Sequence, residues 1–152
     1  MQSQQLEIIK NVGCQVRSFL EDMQPKTDWC QYLSGACAVG AYLTQKLLQC
    51  KNIHSSVIIG KGDGDHCWID IELDNQVLIL DTTATQFDKS LESVLLLPKI
   101  DYKKLGFHNE LEEEHLMSSD RAFFNALLTW PDCQRPKTFK QEIYDSFKIV
   151  ID

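Results

Sequence analysis

Apolar side chains recur at helical intervals in two stretches of the N-terminal half. In residues 5–21 they lie three or four positions apart, at Leu6, Ile9, Val12, Val16 and Leu20. Between about residues 34 and 50 they recur at every fourth position, at Val39, Leu43 and Leu47. Because this spacing places apolar residues on one face of a helix, it predicts two amphipathic helices, the first of which ends before Pro25.

Three short segments in the middle of the chain are typical of β-strands. Their sequences are SSVIIG at 55–60, HCWIDIEL at 66–73 and QVLILD at 76–81. Asp74 and Asn75 separate the last two segments, and these residue types tolerate the positive φ angles of a two-residue turn. The chain therefore predicts a β-hairpin in which Leu73 pairs with Gln76.

The sequence pattern of the C-terminal third favours helices over strands. An acidic stretch at about residues 110–128 suggests a helix, with its ELEEEH segment as a solvated face. Pro131 and Pro136 are interpreted as breakers, and FKIVI at 147–151 as an added edge strand. The whole pattern indicates one α+β domain, residues 1–152, with N-terminal helices packed on a small antiparallel sheet and a helical C-terminal part.

Charge and composition narrow the classes of partner. The 152 residues include 22 acidic and 15 basic side chains, which gives a formal net charge of -7. A basic surface for nucleic acid is therefore not expected. No secretory pattern and no run of about 20 apolar residues is present, so we expect no membrane segment and a cytoplasmic protein where it is synthesised. Delivery into another cell is left open, and the oligomeric state is not indicated.

Cysteine is the most distinctive residue type in this composition. Its six copies are at positions 14, 30, 37, 50, 67 and 133. A chain of this length does not need disulfides for stability, and no CxxC motif or other zinc-ligand spacing is present. We therefore expect free thiols, no metal and no cofactor.

The predicted hairpin brings a histidine and a carboxylate to one face. Because side chains alternate along strands, one face carries Ile69, Ile71, Leu78 and Leu80, and the other carries His66, Trp68, Asp70, Glu72 and Asp81. His66 and Asp81 are diagonal neighbours, with Cα atoms about 7–8 Å apart, a gap that their side chains can close. Asp81 is expected to orient the imidazole, and Trp68 to form a substrate-binding wall that shields it from water.

Cys37 lies among small residues at the predicted start of the second helix. There the helix dipole and a neighbouring imidazolium lower the pKa of a thiol and favour the nucleophilic thiolate. A lone cysteine in an alanine-rich helix is otherwise a packing residue. With His66 as base and Asp81 as orienting group, Cys37 is predicted to be the nucleophile of a thiol-dependent enzyme. The Cys37 backbone N–H and the Gln31 amide would bind the oxyanion.

Three motifs occur in order: GAC at 35–37, DHCWIDI at 65–71 and LILDTTATQF at 78–87. This set, within about residues 30–88, resembles the transglutaminase-like core of the papain-like cysteine enzymes. The resemblance implies a Cys-His-Asp triad of Cys37, His66 and Asp81, with Gln31 as the oxyanion glutamine. Enzymes of this superfamily cleave peptides, deamidate or cross-link glutamine, or transfer acyl groups.

Three functional interpretations follow from these residues. The leading one is a thiol hydrolase or acyltransferase that attacks an amide carbonyl of a peptide or protein substrate. Under this interpretation peptide cleavage is the leading reaction, and glutamine deamidation or transamidation is the alternative. The second is a non-catalytic binding module on the same scaffold. The third is a redox sensor in which Cys30 or Cys67 forms a disulfide with Cys37.

Overall fold

The computed structural model describes residues 2–26, 36–61, 66–105, 112–116 and 136–149. Its helices are α1 Gln2–Met23, α2 Cys37–Cys50, α3 Lys99–Lys103 and α4 Pro136–Phe147. Its strands are β1 Ser56–Lys61, β2 His66–Leu73, β3 Gln76–Asp81, β4 Leu95–Pro98 and β5 Glu112–Leu116. Short 3₁₀ helices span Gln24–Lys26 and Ala84–Gln86. The α+β class is thereby confirmed.

The five strands form one antiparallel sheet in the order β4-β3-β2-β1-β5. Its central hairpin has the predicted register, with Leu73 paired to Gln76. Asp74 and Asn75 adopt φ angles of 50° and 63°, which the predicted two-residue turn requires. The hairpin prediction is confirmed, and it fixes which side chains of β2 and β3 share a face.

Helices α1 and α2 pack against one face of the sheet. Their buried residues join those of the sheet in one core cluster, which includes Ile9, Val16, Leu20, Leu43, Leu48, Ile69, Ile71 and Leu80. The start of α2 lies close to Thr82, the residue that follows β3. A Cβ atom on Gly40 would be only 2.9 Å from Thr82 Oγ1. The absence of a side chain at Gly40 therefore permits this close approach.

The second face of the sheet is also buried, whereas the sequence suggested that it would carry mainly polar side chains. A second apolar cluster covers it, formed by Ile58, Trp68, Ile79, Ala84, Leu95 and Tyr102. Residues 82–103 supply much of this layer, since the 3₁₀ turn, β4 and α3 all lie there. His66 and Asp81 are consequently enclosed, with 0% and 1% of their surface exposed.

Three expectations for the C-terminal third are wrong in the part that the structure describes. Residues 112–116 form strand β5 rather than a helix, and Leu116 pairs with Val57 at the edge of the sheet. The segment 147–151 was expected to be a strand, but Phe147 ends helix α4 and residues 148–149 are irregular. Pro136 begins α4 instead of breaking a helix, because the first helical turn tolerates proline. Among the described residues, no helix has both the length and the apolar character needed to cross a bilayer.

Candidate active site

His66 and Asp81 form a direct hydrogen bond where two paired strands meet. His66 begins β2 and Asp81 ends β3, so the antiparallel register places both at the same end of the hairpin. His66 Nε2 lies 2.7 Å from Asp81 Oδ2. The structure thus brings together the two residues that the hairpin pattern predicted to be neighbours.

The Asp81 carboxylate is held by donors on both of its oxygens. The Tyr102 hydroxyl donates to Oδ2 over 2.7 Å, and the Thr83 backbone N–H donates to Oδ1 over 2.9 Å. Burial opposes ionisation, but the His66 charge and hydrogen bond, followed by the bonds from Tyr102 and Thr83, hold the pKa of Asp81 below its usual value. Asp81 is therefore a buried, fixed anion beside the imidazole.

Cys37 is the first residue of α2, as the sequence predicted, and its side chain is partly exposed. Its sulfur lies within hydrogen-bonding reach of the Cys67 thiol, the Cys67 backbone N–H and the His66 ring. The hydrogen bond from the Cys67 thiol lowers the pKa of Cys37, and burial raises it. The hydrogen bond and the charge of His66 lower it further, so the pKa of Cys37 lies well below its usual value. These contacts favour a thiolate at the helix start.

The His66 ring completes a line between the thiol and the carboxylate. Burial alone would lower its pKa, but the charge and hydrogen bond of Asp81, followed by those of Cys37, raise the pKa of His66 to about 10. A proton shared between Cys37 and His66 is thereby drawn toward the imidazole. The arrangement can support a thiolate–imidazolium pair whose positive ring is balanced by Asp81.

The other side of the ring is covered by the 3₁₀ turn that follows β3. Gln86 Nε2 lies 2.9 Å from His66 Nδ1, and the Phe87 ring stands perpendicular to the imidazole with centroids 4.7 Å apart. Neither Gln86 nor Phe87 is predicted from the sequence to lie beside His66. Both were missed because their contact with His66 depends on how the turn folds back over the sheet.

Trp68 forms a buried wall beside the imidazole. Its ring centroid is 6.0 Å from that of His66 and 5.8 Å from that of Tyr102, and 2% of the residue is exposed. The indole Nε1 donates to Asp70 Oδ1 over 3.0 Å, and Lys99 Nζ holds the other Asp70 oxygen over 2.9 Å. The expected shielding of the histidine matches this placement, while direct contact between Trp68 and a substrate stays a prediction.

Arg17 of α1 anchors the turn that carries these contacts. Its Nη1 donates to the Thr82 carbonyl over 3.0 Å and to Thr85 Oγ1 over 2.8 Å. The guanidinium is largely buried, and its Nε pairs with Glu21 in the same helix. Helix α1 therefore fixes the backbone on either side of Thr83, whose N–H binds Asp81.

The expected oxyanion glutamine, Gln31, lies outside the described residues, as does Cys30. Tyr102 was not singled out from the sequence, because nothing in a local pattern links a tyrosine in α3 to a carboxylate in β3. In the described part of the chain, no group of three or more His, Cys, Asp or Glu residues has an arrangement suited to a metal ion.

Comparison of this chain with known proteins gives no relatives. No protein-family model matches it, no curated protein matches it, and no solved structure matches it. The function is therefore argued from the contacts of Cys37, His66 and Asp81.

Proposed function

We propose that the protein is a thiol-dependent hydrolase or acyltransferase with a transglutaminase-like, papain-like core. Cys37 is the nucleophile, His66 the general base and acid, and Asp81 the group that orients the imidazole. Its substrate is an amide carbonyl in a peptide or protein, and peptide cleavage is the leading reaction. Glutamine deamidation or transamidation uses the same first step with a side-chain amide.

One observation carries the proposal. The Cys37 thiol and the Asp81 carboxylate contact the same buried imidazole, and the His66–Asp81 bond is 2.7 Å long. A histidine in a purely structural role needs neither a thiol partner nor a carboxylate held by two further donors. The same contacts lower the pKa of Cys37, which makes its sulfur the favoured nucleophile among the described cysteines.

The proposed chemistry follows from these positions. The Cys37 sulfur attacks the carbonyl carbon, a C–S bond forms, and the carbonyl electron pair moves to oxygen. The oxygen pair then returns, the C–N bond breaks, and the proton on His66 passes to the leaving nitrogen. Water or an amine attacks the resulting thioester, gives its proton to His66 and releases the thiolate. The final acceptor decides whether the product is an acid or a new amide.

The position of Cys37 at a helix start supports oxyanion binding by its own backbone N–H. The first backbone N–H groups of a helix have no partner within the helix and carry the positive end of its dipole. Gln31 is proposed as the second donor on the basis of its spacing from Cys37. Cys37 is partly exposed, which gives a substrate carbonyl access to this residue, while His66 is buried.

Selective alkylation tests the nucleophile. At slightly acidic pH, iodoacetamide should modify Cys37 at least about tenfold faster than Cys14, an exposed thiol in helix α1. Cys37→Ala should abolish this fast modification, and the matched variant Cys14→Ala should retain it. Peptide mapping by mass spectrometry identifies the labelled residue. Equal fast labelling of Cys37→Ala would rule out the proposed nucleophile.

Turnover is tested separately from reactivity. Incubation with a panel of peptide and glutamine-containing substrates, followed by intact-mass analysis, should reveal a covalent thioester on Cys37 or a product mass. Peptide hydrolysis, deamidation by about one mass unit and amine incorporation give three different product masses. A non-catalytic binding module on this scaffold would give complex formation without either an adduct or a product.

A second candidate function, redox sensing, is favoured by the contact between the thiols of Cys37 and Cys67. A peroxide would oxidise the Cys37 thiolate to a sulfenic acid, and the Cys67 sulfur would displace water to form a disulfide. Peptide mapping without reductant after peroxide treatment should then find this pair linked. Cys67→Ser should stop at the sulfenic acid, and absence of the linked peptide in the unaltered protein would eliminate this candidate.

A further inference from the structure

His66 Nδ1 is approached by two different side chains. The Cys37 thiol needs this nitrogen as its proton acceptor, because Nε2 is already bonded to Asp81. Gln86 Nε2 lies 2.9 Å from the same nitrogen and comes from the 3₁₀ turn after β3. The proposed proton transfer therefore takes place at an atom that a neutral amide already binds.

The surrounding hydrogen bonds determine which end of the Gln86 amide faces the ring. The Asp81 carboxylate only accepts, so the Thr83 hydroxyl directs its proton to Asp81 Oδ1, 3.4 Å away. With the Thr83 proton directed to Asp81, the Thr83 oxygen accepts from the Gln86 NH₂ group, which lies 3.3 Å away. The same NH₂ group faces His66 Nδ1, so it donates to the lone pair of that nitrogen.

We propose that Gln86 is a positioning residue that donates to His66 Nδ1 and thereby stabilises the neutral imidazole with its proton on Nε2. The inference rests on the proposed function, in which Nδ1 receives the Cys37 proton. A donor at Nδ1 is compatible only with an unprotonated nitrogen, and this tautomer is the one that can accept a proton from sulfur.

Gln86 therefore opposes the other groups that face His66. Asp81 from β3 and the Cys37 thiolate from α2 favour the imidazolium, and Tyr102 from α3 acts on the ring through Asp81. Trp68 and Phe87 contact the ring without charge. When the thiol proton moves to Nδ1, the bond from Gln86 has to break. The amide then turns away or presents its oxygen to the new N–H.

The first test measures His66 itself and does not depend on Cys37 chemistry. In Cys37→Ala protein, NMR titration should show the neutral His66 with its proton on Nε2. In Cys37→Ala/Gln86→Met protein, the pKa of His66 should be higher by about half to one pH unit, because a net hydrogen bond of ordinary strength to the neutral form is lost. A lower or unchanged pKa, or a neutral ring with its proton on Nδ1, would overturn the inference.

The second test uses the protein with Cys37 present. Gln86→Met should move the onset of fast Cys37 alkylation about half to one pH unit lower. The reason is that the thiolate–imidazolium pair becomes more stable relative to the neutral thiol and imidazole. Gln86→Glu should move it further, because a carboxylate favours the imidazolium. The matched control Gln76→Met, at an exposed position in the hairpin, should leave the profile unchanged.

The two tests separate the inference from the proposed function. If Cys37 is not the nucleophile, fast alkylation is missing in every protein, but the effect of Gln86 on the His66 titration persists. If Gln86 instead accepts a proton from the imidazolium, the unaltered protein still shows fast Cys37 alkylation. Gln86→Met then shifts its onset to higher pH, and this result contradicts the inference.

Discussion

Replacing Asp81 with asparagine tests whether a buried ion pair holds the site together. Asparagine keeps the size of the side chain but changes one acceptor oxygen into a donating NH₂ group. If its remaining oxygen faces His66 and Tyr102, the NH₂ group faces the Thr83 backbone N–H, which now donates 2.9 Å away to Asp81 Oδ1. Two buried donors then meet, and the His66 ring loses its counter-charge.

The loss should depend on pH in a defined direction. The pKa of Asp81 is lowered in the folded protein, so its contribution to stability is present above the usual carboxyl pKa and is lost as the pH falls below it. The pKa of His66 is raised to about 10, so its contribution is fully present below the usual histidine pKa and is lost as the pH rises toward about 10. Both contributions coexist between about pH 4 and 6.5.

The expected magnitudes follow from the burial of both partners. Removal of one partner from a buried ion pair lowers the free energy of unfolding by about 3–5 kcal/mol, and we expect this loss near pH 6. As the pH rises from the usual histidine pKa toward about 10, the unfolded chain no longer binds this proton, and the deficit should fall toward the about 1–3 kcal/mol that an unsatisfied Thr83 N–H costs.

Urea unfolding of both proteins between about pH 5 and pH 9 measures this dependence. Asp74→Asn is the matched control, because Asp74 is exposed in the hairpin turn and asparagine tolerates its φ of 50°. Its stability should stay within about 0.5 kcal/mol of the unaltered protein. A deficit of the Asp81→Asn protein that does not change across this pH range would refute the assignment of an Asp81–His66 ion pair.

Two further substitutions test how the helices position the site. Gly40→Ala should lower the free energy of unfolding by about 1–3 kcal/mol and slow Cys37 alkylation, because the new Cβ would lie 2.9 Å from Thr82 Oγ1. Unchanged thermal unfolding and labelling rates would contradict the tight approach of α2. Arg17→Met should cost about 1–3 kcal/mol in urea unfolding, because the buried Thr82 carbonyl loses its donor, whereas Glu21→Gln should cost less than about 0.5 kcal/mol because that ion pair is half exposed. Equal losses of stability for these two variants would show that Arg17 stabilises the protein through its ion pair with Glu21 rather than through the Thr82 carbonyl.

The parts of the fold that the sequence predicts are those set by local chemistry. The β2–β3 hairpin follows from alternating strands around Asp74 and Asn75, two residues that adopt positive φ at little cost. Helix α2 follows from an apolar repeat of four, and its buried Val39, Leu43 and Leu47 confirm that pattern. In both cases, short-range spacing and tertiary packing favour the same structure, so the position of His66 beside Asp81 is readable before any coordinates.

The segment 112–116 was misread because its local preferences and its tertiary contacts disagree, while the rest of the helix expected at about 110–128 lies outside the described residues. The acidic run at 112–116 has residues that favour helices, but pairing with β1 provides backbone hydrogen bonds along the edge of the sheet. Charged side chains also suit an edge strand, since they discourage pairing with other chains. Strand propensity depends on such neighbours, and the neighbour here lies more than 50 residues earlier in the chain.

The supporting contacts of the candidate site were beyond sequence reasoning for a related reason. Tyr102 reaches Asp81 from α3, 21 residues later, and Gln86 reaches His66 through a turn that folds over the sheet. Neither contact leaves a periodic pattern or a spacing rule. The groups that line up on strands and helix starts can be predicted from local patterns, whereas the contacts of Tyr102 in α3 and of Gln86 in the 3₁₀ turn cannot.

The burial of His66 and Asp81 argues for chemistry over stability. Moving two charged groups out of water has a large penalty, and replacement of a buried ion pair by apolar residues is often neutral or stabilising. The sheet face around them is apolar, with Trp68, Ile79 and Tyr102, so isoleucine or leucine would pack there without this penalty. The chain instead supplies Tyr102 and Thr83 to keep Asp81 ionised, and it leaves Cys37 partly exposed where this residue packs against the main core cluster on the other face of the sheet. Among the described residues, this buried ion pair lies beside a partly exposed cysteine at a helix start, an arrangement that supports the covalent chemistry proposed for Cys37.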